Sequence, residues 1–171
     1  KRVVLQFEKK IKLNQENRIK FVDEPEKYLK SEVDLDEDIK RLHNLSSSPE
    51  LYGQFNELGG LQLLLGLLNH ANTDIALGVF EVLSELTDPD AVEEVEDAEA
   101  FVDAVLDLGY PEMSIETLLR IKEDNSDEDA NGVTNCLSVV ENLVDLKPAV
   151  CVTFAKATKF IPWLLKRIRQ G

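Results

Sequence analysis

The chain has 171 residues, of which 43% are hydrophobic, and its formal net charge at pH 7 is −14. This length allows one compact domain or a short repeat array, and the apolar content excludes a disordered chain. The longest apolar run, 61–68, is far too short to span a bilayer, so no membrane segment is expected. Because the sequence begins with Lys1 rather than Met, we interpret it as a piece of a longer protein.

The negative charge is concentrated in the middle of the chain. Residues 42–119 contain 16 acidic side chains and no Lys or Arg, whereas 1–41 and 120–171 are each nearly balanced. Such a surface repels nucleic acid and anionic membranes and attracts basic partners. The alternative interpretation is a solvated acidic face that serves solubility.

Residues 1–30 are predicted to form two short helices. The apolar side chains of the first recur on one helical face, and Asn14 or Asn17 is expected to begin the second. A basic cluster in this region is interpreted as a solvated face or as an intramolecular partner of the acidic middle, in preference to a nucleic-acid patch. The cluster consists of Lys9, Lys10, Lys12, Arg18 and Lys20.

The segment 49–86 has the pattern of an armadillo repeat, in which a short helix is followed by two more. An apolar helix over 61–68 and a short polar turn precede the last helix, for which Thr73 or Asp74 is the expected N-cap. Neither of these two helices can bury its apolar stripe alone, so stacked neighbours are predicted. The stripe of the last helix consists of Ile75, Val79, Val82, Leu83 and Leu86.

A related order of helices recurs further along the chain. The offset of 100 residues between Gln62 and Pro162 fits two repeats of about 50, with extra length expected in the acidic stretch 88–97. The predicted fold is therefore all-α, an armadillo/HEAT-like right-handed helical solenoid. We expect an N-terminal helical cap over 1–47 and armadillo-like repeats over 48–171. The downstream helices are predicted over 98–108, 111–122, 130–146 and 148–155, and from 161 onward.

No catalytic or metal site is predicted. His43 and His70 are far apart in the sequence and lack neighbouring ligands at metal-binding spacing, so His70 is interpreted as a polar turn residue and His43 as a half-buried core histidine. The acidic run 124–129 lacks the glycine and the final glutamate that a calcium loop requires. We therefore expect a protein that is not an enzyme and that uses no cofactor or metal.

The two cysteines and the single tryptophan have structural interpretations. Cys136 and Cys151 lie in apolar helical patterns and are expected to be buried, reduced thiols, with a disulfide between them as the alternative. Trp163 is expected either to pack between repeats or to lie in a groove.

Several longer motifs occur in order along the whole chain: Asn14-Gln15-Glu16-x-Arg18-Ile19-Lys20-Phe21, Leu64-Leu65-Gly66-Leu67-Leu68-x-His70-x-Asn72-Thr73-Asp74, Glu85-Leu86-Thr87-Asp88, Val140-Glu141-Asn142 and Trp163-Leu164-Leu165-Lys166-Arg167. Together they resemble the N-terminal region of the beta-catenin-like protein 1 family. The resemblance implies a nuclear, spliceosome-associated armadillo protein of the Prp-nineteen complex. It also implies binding to basic, nuclear-localisation-type segments of splicing factors and, in vertebrates, to a cytidine deaminase.

The leading hypothesis is a non-enzymatic helical-repeat scaffold that binds basic segments of nuclear proteins, without direct contact to nucleic acid or membrane. The alternative is a structural region that caps the solenoid and self-associates as a homodimer, with partners bound elsewhere. The residues predicted to attract basic partners are Glu81, Glu85, Asp88, Glu93, Glu94, Glu96 and Asp97.

Overall fold

The computed structural model describes residues 1–92, 98–157 and 159–169, and the regular secondary structure of these ranges is entirely helical. This confirms the prediction of an all-α fold. Within the described ranges no helix is both long and apolar enough to cross a membrane. The helices are α1 (Arg2–Lys20), α2 (Glu26–Arg41), α3 (Tyr52–Glu57), α4 (Gly60–Gly66), α5 (Thr73–Leu86), α6 (Pro89–Val92), α7 (Ala98–Asp107), α8 (Tyr110–Leu118), α9 (Asp127–Leu146), α10 (Val150–Lys156) and α11 (Phe160–Ile168).

The first two helices form an antiparallel hairpin. Lys10 of α1 donates a hydrogen bond to Asp38 of α2 at 2.8 Å, and Asn14, one turn later in α1, donates to Ser31 near the start of α2 at 3.1 Å. Later positions in α1 thus meet earlier positions in α2. The buried Phe7 anchors the hairpin to the core.

The prediction of two short helices within 1–30 was wrong. Asn14, expected to begin the second helix, lies fully buried inside α1. Its side-chain amide donates to Ser31, and its carbonyl oxygen lies 2.9 Å from Nε2 of His70. Because these tertiary partners satisfy the amide, Asn14 does not end the helix as its intrinsic preference would favour.

Helices α4, α8 and α11 begin at Gly60, Tyr110 and Phe160, which are 50 residues apart. Gly59 and Gly109, which precede the first two, have φ values of 77° and 85°, in the left-handed region that other residues avoid. These start positions agree with the predicted offset of about 50 residues. The division into a cap over 1–47 and repeats over 48–171 stays a prediction.

Helices α2 and α5 lie side by side and run in the same direction. Near the start of both, the Asn72 amide donates to Glu32 at 3.1 Å. Beyond the end of α2, His43 in the 3₁₀ turn Leu42–Leu45 lies 2.8 Å from Glu85 in the last turn of α5. The two helices therefore keep the same register along their length.

Helix α9 packs on the other side of α5, again in the same direction. A Cβ atom at Gly132 would lie 2.2 Å from Leu77 Cδ2, so a larger residue at this position would require the Leu77 side chain or the helix to shift. Near the other end of the pair, Asn142 donates to the backbone carbonyl of Ser84 at 3.1 Å. Helices α2, α5 and α9 thus form a row of parallel neighbours.

A continuous apolar core lies beneath this row. Phe80 of α5 makes an edge contact with Tyr110, with ring centroids 6.4 Å apart, and Tyr110 makes a similar contact with Phe154 at 6.3 Å. Phe154 in turn packs against Phe160 at 5.1 Å. The predicted stripe of α5 is confirmed, because all of its members are buried: Ile75, Val79, Val82, Leu83 and Leu86.

Two helix starts differ from the predictions. The N-cap of α5 is Asn72 rather than Thr73 or Asp74, and its side-chain oxygen accepts the Asp74 amide hydrogen at 3.0 Å. Helix α9 begins at Asp127 rather than at 130, because Ser126 caps it by accepting the backbone hydrogen of Asp129. Polar side chains thus extend both helices beyond their apolar pattern.

The two cysteines have different environments. Cys136 is buried as predicted, and burial raises the pKa of its thiol to about 12. Cys151 was wrongly predicted to be buried, since it lies on the exposed side of α10. Both thiols are free.

Candidate functional site: the acidic face of α5

The outer side of α5 carries a line of carboxylates. Asp74, Glu81 and Glu85 are spaced seven and four residues apart, which places them on one helical face, and Asp88 follows directly after the helix. All four are exposed, while the opposite side of the helix is in the core. We call these four residues the α5 acidic face.

Three of the residues predicted to attract basic partners belong to this face. Glu81 and Glu85 have side chains that are 53% and 45% exposed, so both carboxylates are available to a partner. Asp88 is also exposed, and one of its carboxylate oxygens accepts the backbone hydrogen of Asp90 at 2.9 Å. The other predicted residues, Glu93, Glu94, Glu96 and Asp97, lie outside the described residues.

Two cationic or protonatable groups of the chain border the acidic face. His43 lies 2.8 Å from Glu85 and 4.0 Å from Glu81, and its side chain is 24% exposed, as predicted for a half-buried histidine. Lys40 donates to Asp36 at 2.7 Å, and this hydrogen bond, with a smaller contribution from the charge of Glu81, raises the pKa of Lys40. Within the described residues, Asp74 and Asp88 have no ion pair.

The basic cluster of the N-terminal hairpin does not neutralise this face. Arg18 pairs with Glu32 and also lies over the ring of Tyr28, while Lys10 pairs with Asp38. These partners belong to α2, so the alternative of an intramolecular partner for the acidic middle was wrong for them. Their charges are used inside the hairpin because α1 and α2 pack antiparallel.

A cleft of about 420 Å³ opens beside the acidic face, between α2 and the first halves of α5 and α9. Besides Asp74, it presents Glu128 and the amide side chains of Asn131 and Asn135 from α9. Sequence reasoning missed these residues, although polar side chains spaced four apart near the start of a helix following a cap are a readable signal. The cleft extends the polar surface from α5 onto α9.

His70 has a structural position in the turn before α5, as predicted. Its Nδ1 accepts the backbone hydrogen of Asn72 at 3.1 Å, so Nε2 carries the proton and donates to Asn14. The guanidinium of Arg120 donates to the carbonyls of His70 and Leu68 at 2.7 and 2.6 Å. The turn is therefore stabilised by contacts with both Asn14 of α1 and Arg120, which follows α8.

Trp163 lies in a groove near the end of the described chain. The indole is half-buried, and the guanidinium of Arg167 lies 5.7 Å from its ring centroid while pairing with Glu123. This groove is remote in sequence from the acidic face. Among the residues that the structure describes, no group of His, Cys, Asp and Glu is arranged to hold a metal ion.

The repeated helices and the exposed acidic face define an all-α helical-repeat protein with a polar surface on the outer side of α5. The chain belongs to the family described as catenin-beta-like, Arm-motif containing nuclear, whose model matches residues 1–171. This confirms the family resemblance deduced from the motifs.

Individual relatives agree with this membership. The chain is 42% identical over 170 residues to beta-catenin-like protein 1 of Homo sapiens and to that of Mus musculus. It is 36% identical over 167 residues to the beta-catenin-like protein 1 homolog of Schizosaccharomyces pombe. The matches cover 98–99% of this chain but only 29–30% of each relative, so the chain spans less than a third of their length.

Proposed function

We propose that this chain is part of a non-enzymatic armadillo-repeat scaffold of the nuclear pre-mRNA splicing machinery, and that it binds basic, nuclear-localisation-type segments of nuclear proteins. Membership of a family described as nuclear supports the location. The proposed partners are splicing factors of the Prp-nineteen complex and, in vertebrates, a cytidine deaminase. Two observations support the proposal together: the family membership and the distribution of charge along the chain.

The α5 acidic face is the observation that carries the proposal. Its carboxylates belong to the stretch 42–119, which contains no Lys or Arg, and Asp74 and Asp88 have no internal cation among the described residues. A lysine or arginine of a partner is therefore attracted without first displacing an arginine or lysine of this chain from these two carboxylates.

Several weak contacts are sufficient for such binding. An exposed ion pair contributes about 0–1 kcal/mol, so a segment that contacts four carboxylates gains a few kcal/mol at most from them. The electrostatic contribution acts mainly on the association rate and is screened by salt. Binding through this face should consequently be salt-sensitive.

The test is fluorescence anisotropy with a labelled peptide that contains consecutive Lys and Arg residues, at about 50 mM and about 500 mM salt. We expect affinity to fall at high salt, and the double variant Glu81→Gln/Glu85→Gln to weaken binding about three- to tenfold at low salt. The matched control is Glu112→Gln/Glu116→Gln, which removes the same charge from exposed positions of α8. Salt-independent affinity, or equal effects of the two double variants, contradicts the proposal.

Self-association remains a second candidate because α1 presents apolar side chains to solvent. Leu5, Leu13 and Ile19 are 49%, 48% and 81% exposed. Sedimentation of the wild type and of Leu13→Lys/Ile19→Lys decides this point. A wild-type dimer that becomes monomeric in the variant supports the candidate, whereas a wild-type monomer excludes it.

A further inference from the structure

The cleft between α2, α5 and α9 combines apolar and acidic surfaces. Leu29 and Val33, one turn apart on α2, both line it and are 57% and 49% exposed. Ile75 of α5, which is only 2% exposed, also belongs to its apolar lining. Asp74 of α5 and Glu128 of α9 contribute carboxylates to the same cleft. One opening therefore brings uncovered apolar side chains together with negative charge.

The charges that α2 contributes to the cleft are already paired within the protein. Glu32 accepts hydrogen bonds from Arg18 and, at 3.1 Å, from the amide of Asn72. Asp36 accepts a hydrogen bond from Lys40 at 2.7 Å. Since Lys40 is the basic residue among those that line the cleft, the internal positive charge there is already engaged.

The polar groups on the other side of the cleft are not paired in this way. Asp74 and Glu128 are exposed, and neither forms an ion pair within the described residues. Asn131 and Asn135 lie on the same face of α9 as Glu128, and in the described part of the chain their side-chain amides have no hydrogen-bond partner. Two carboxylates and two amide oxygens are therefore available to accept hydrogen bonds from a ligand.

A structural role in the helix starts does not account for the cleft. Asp74 and Glu128 each lie in the first turn of a helix, where the helix dipole stabilises negative charge. Asp127 lies in the same turn of α9 as Glu128 and can serve the dipole equally, although it does not line the cleft. The dipole also gives no reason for the exposure of Leu29 and Val33 at the same opening.

A lysine or arginine side chain is complementary to both surfaces of the cleft. Such a side chain can pack its aliphatic stem on apolar surface while its charged head donates hydrogen bonds to carboxylates. The volume of about 420 Å³ lies toward the lower end of the range for ligand pockets, about 300–1,000 Å³, so the cleft admits a side chain rather than a folded element. The unpaired carboxylates repel an anionic ligand.

We propose that this cleft binds the side chain of one lysine or arginine of the basic segment. The stem packs against Leu29 and Val33, and the charged head donates to the carboxylates of α5 and α9. This inference rests on the proposed function and deepens it, because it adds to the α5 acidic face a site that recognises a single side chain.

The first test places a cation of the protein itself in the cleft. Asn131→Lys should weaken binding of the same Lys/Arg-rich peptide about tenfold in the anisotropy assay, because the new ammonium occupies the site of the ligand. The matched control is Thr134→Lys, which adds the same charge at an exposed position of α9 outside the cleft and should weaken binding by no more than about twofold. Thermal unfolding of both variants verifies that each is folded.

A second pair of variants removes charge instead of adding it. Glu128→Gln should weaken binding about two- to fivefold, whereas Asp127→Asn, in the same helical turn but outside the cleft, should change it by less than about twofold. This pair decides the question if Asn131→Lys does not fold.

An NMR titration of the wild type with the same peptide locates the contact directly. The methyl signals of Leu29 and Val33 should shift as peptide is added. The methyl signals of Val152, which is 50% exposed on α10, should not shift.

The outcomes separate the two proposals. If the wild type binds the peptide with the expected salt dependence, but the variants inside and outside the cleft weaken binding equally, the cleft is not the site and the proposed function stands. Unchanged methyl signals of Leu29 and Val33 in a wild type that binds also overturn the cleft. If the wild type does not bind the peptide at all, the proposed function fails, and the assignment of the cleft fails with it.

Discussion

The N-terminal hairpin and the α5 acidic face differ in how they use charge. Residues 1–41 contain 11 basic and 10 acidic side chains, and contacts such as Lys10–Asp38 and Arg18–Glu32 join the two helices. Among the described residues, the ion-pair partner of the α5 acidic face is His43, which lies close to Glu81 and Glu85. The number of charged residues in a region therefore does not show which of them can bind a partner. That depends on which charges the fold has already paired with each other.

The largest expected effect concerns the core beneath the acidic face. Phe80→Ala should lower the free energy of unfolding by about 3–5 kcal/mol, because the ring is fully buried and its loss leaves a cavity beside Tyr110. Chemical denaturation measures this change. The control Leu119→Ala, at a position 53% exposed, should change stability by no more than about 0.5 kcal/mol, and similar losses in the two variants would show that α5 is not held by its core face.

A smaller effect is expected from breaking a charge pair of the hairpin. Arg18→Met should lower the free energy of unfolding by about 1–3 kcal/mol, because the Glu32 side chain is only 10% exposed and would lose its cation. Urea unfolding at neutral pH measures it.

The matched control is Lys12→Met, which removes an exposed pair with Glu8 and should change stability by no more than about 0.5 kcal/mol. The double variant Arg18→Met/Glu32→Met should recover part of the loss, since no charge is left buried. If Arg18→Met and Lys12→Met behave alike, the hairpin does not depend on its internal pairing.

The smallest expected effect is a dependence of the folding stability on pH. It originates at His70, which lies in the turn before α5 and contacts Asn14 of the N-terminal hairpin. Burial lowers the pKa of His70 below its usual value of 6.5, although the backbone carbonyl of Asn72, which lies 3.3 Å from Nδ1 and can accept a hydrogen bond from the protonated ring, opposes this. The unfolded chain therefore binds a proton more readily, and stability should fall as pH decreases through 6.5. Urea unfolding at about pH 7.5 and about pH 5.5 measures the change.

His70→Gln should reduce this dependence, and His43→Gln, which leaves the buried histidine in place, should retain it. The dependence would be attributed to other groups if both variants lost stability by the same amount over this pH range.

The helices of the repeats were predictable from the sequence because their apolar spacing is regular, whereas those of the first 30 residues were not. The stripe of α5 and the 50-residue offset both follow from local pattern, and local pattern is what a sequence shows most directly. The caps were less accurate, since several polar residues near Asn72 can each cap a helix and only the backbone geometry selects one.

Contacts between distant segments were not predictable. Asn14 looked like a helix start because its partners, Ser31 and His70, lie 17 and 56 residues away. In the same way, the contact of His43 with Glu85 depends on the parallel packing of α2 and α5, which no local pattern encodes.

Gly132 leaves room for the Leu77 side chain where α9 packs on α5. The separation of the two helices determines how many residues of an extended segment lie between its contacts with α5 and its contacts with α9. Packed helices are separated by about 8–10 Å, and an extended chain advances about 3.3–3.6 Å per residue. A segment that crosses from α5 to α9 would therefore advance by about two to three residues between the two helices. A side chain at position 132 would have to displace the Leu77 side chain or push the two helices apart. A wider separation would change the spacing of basic residues that fits the surface without altering any charge.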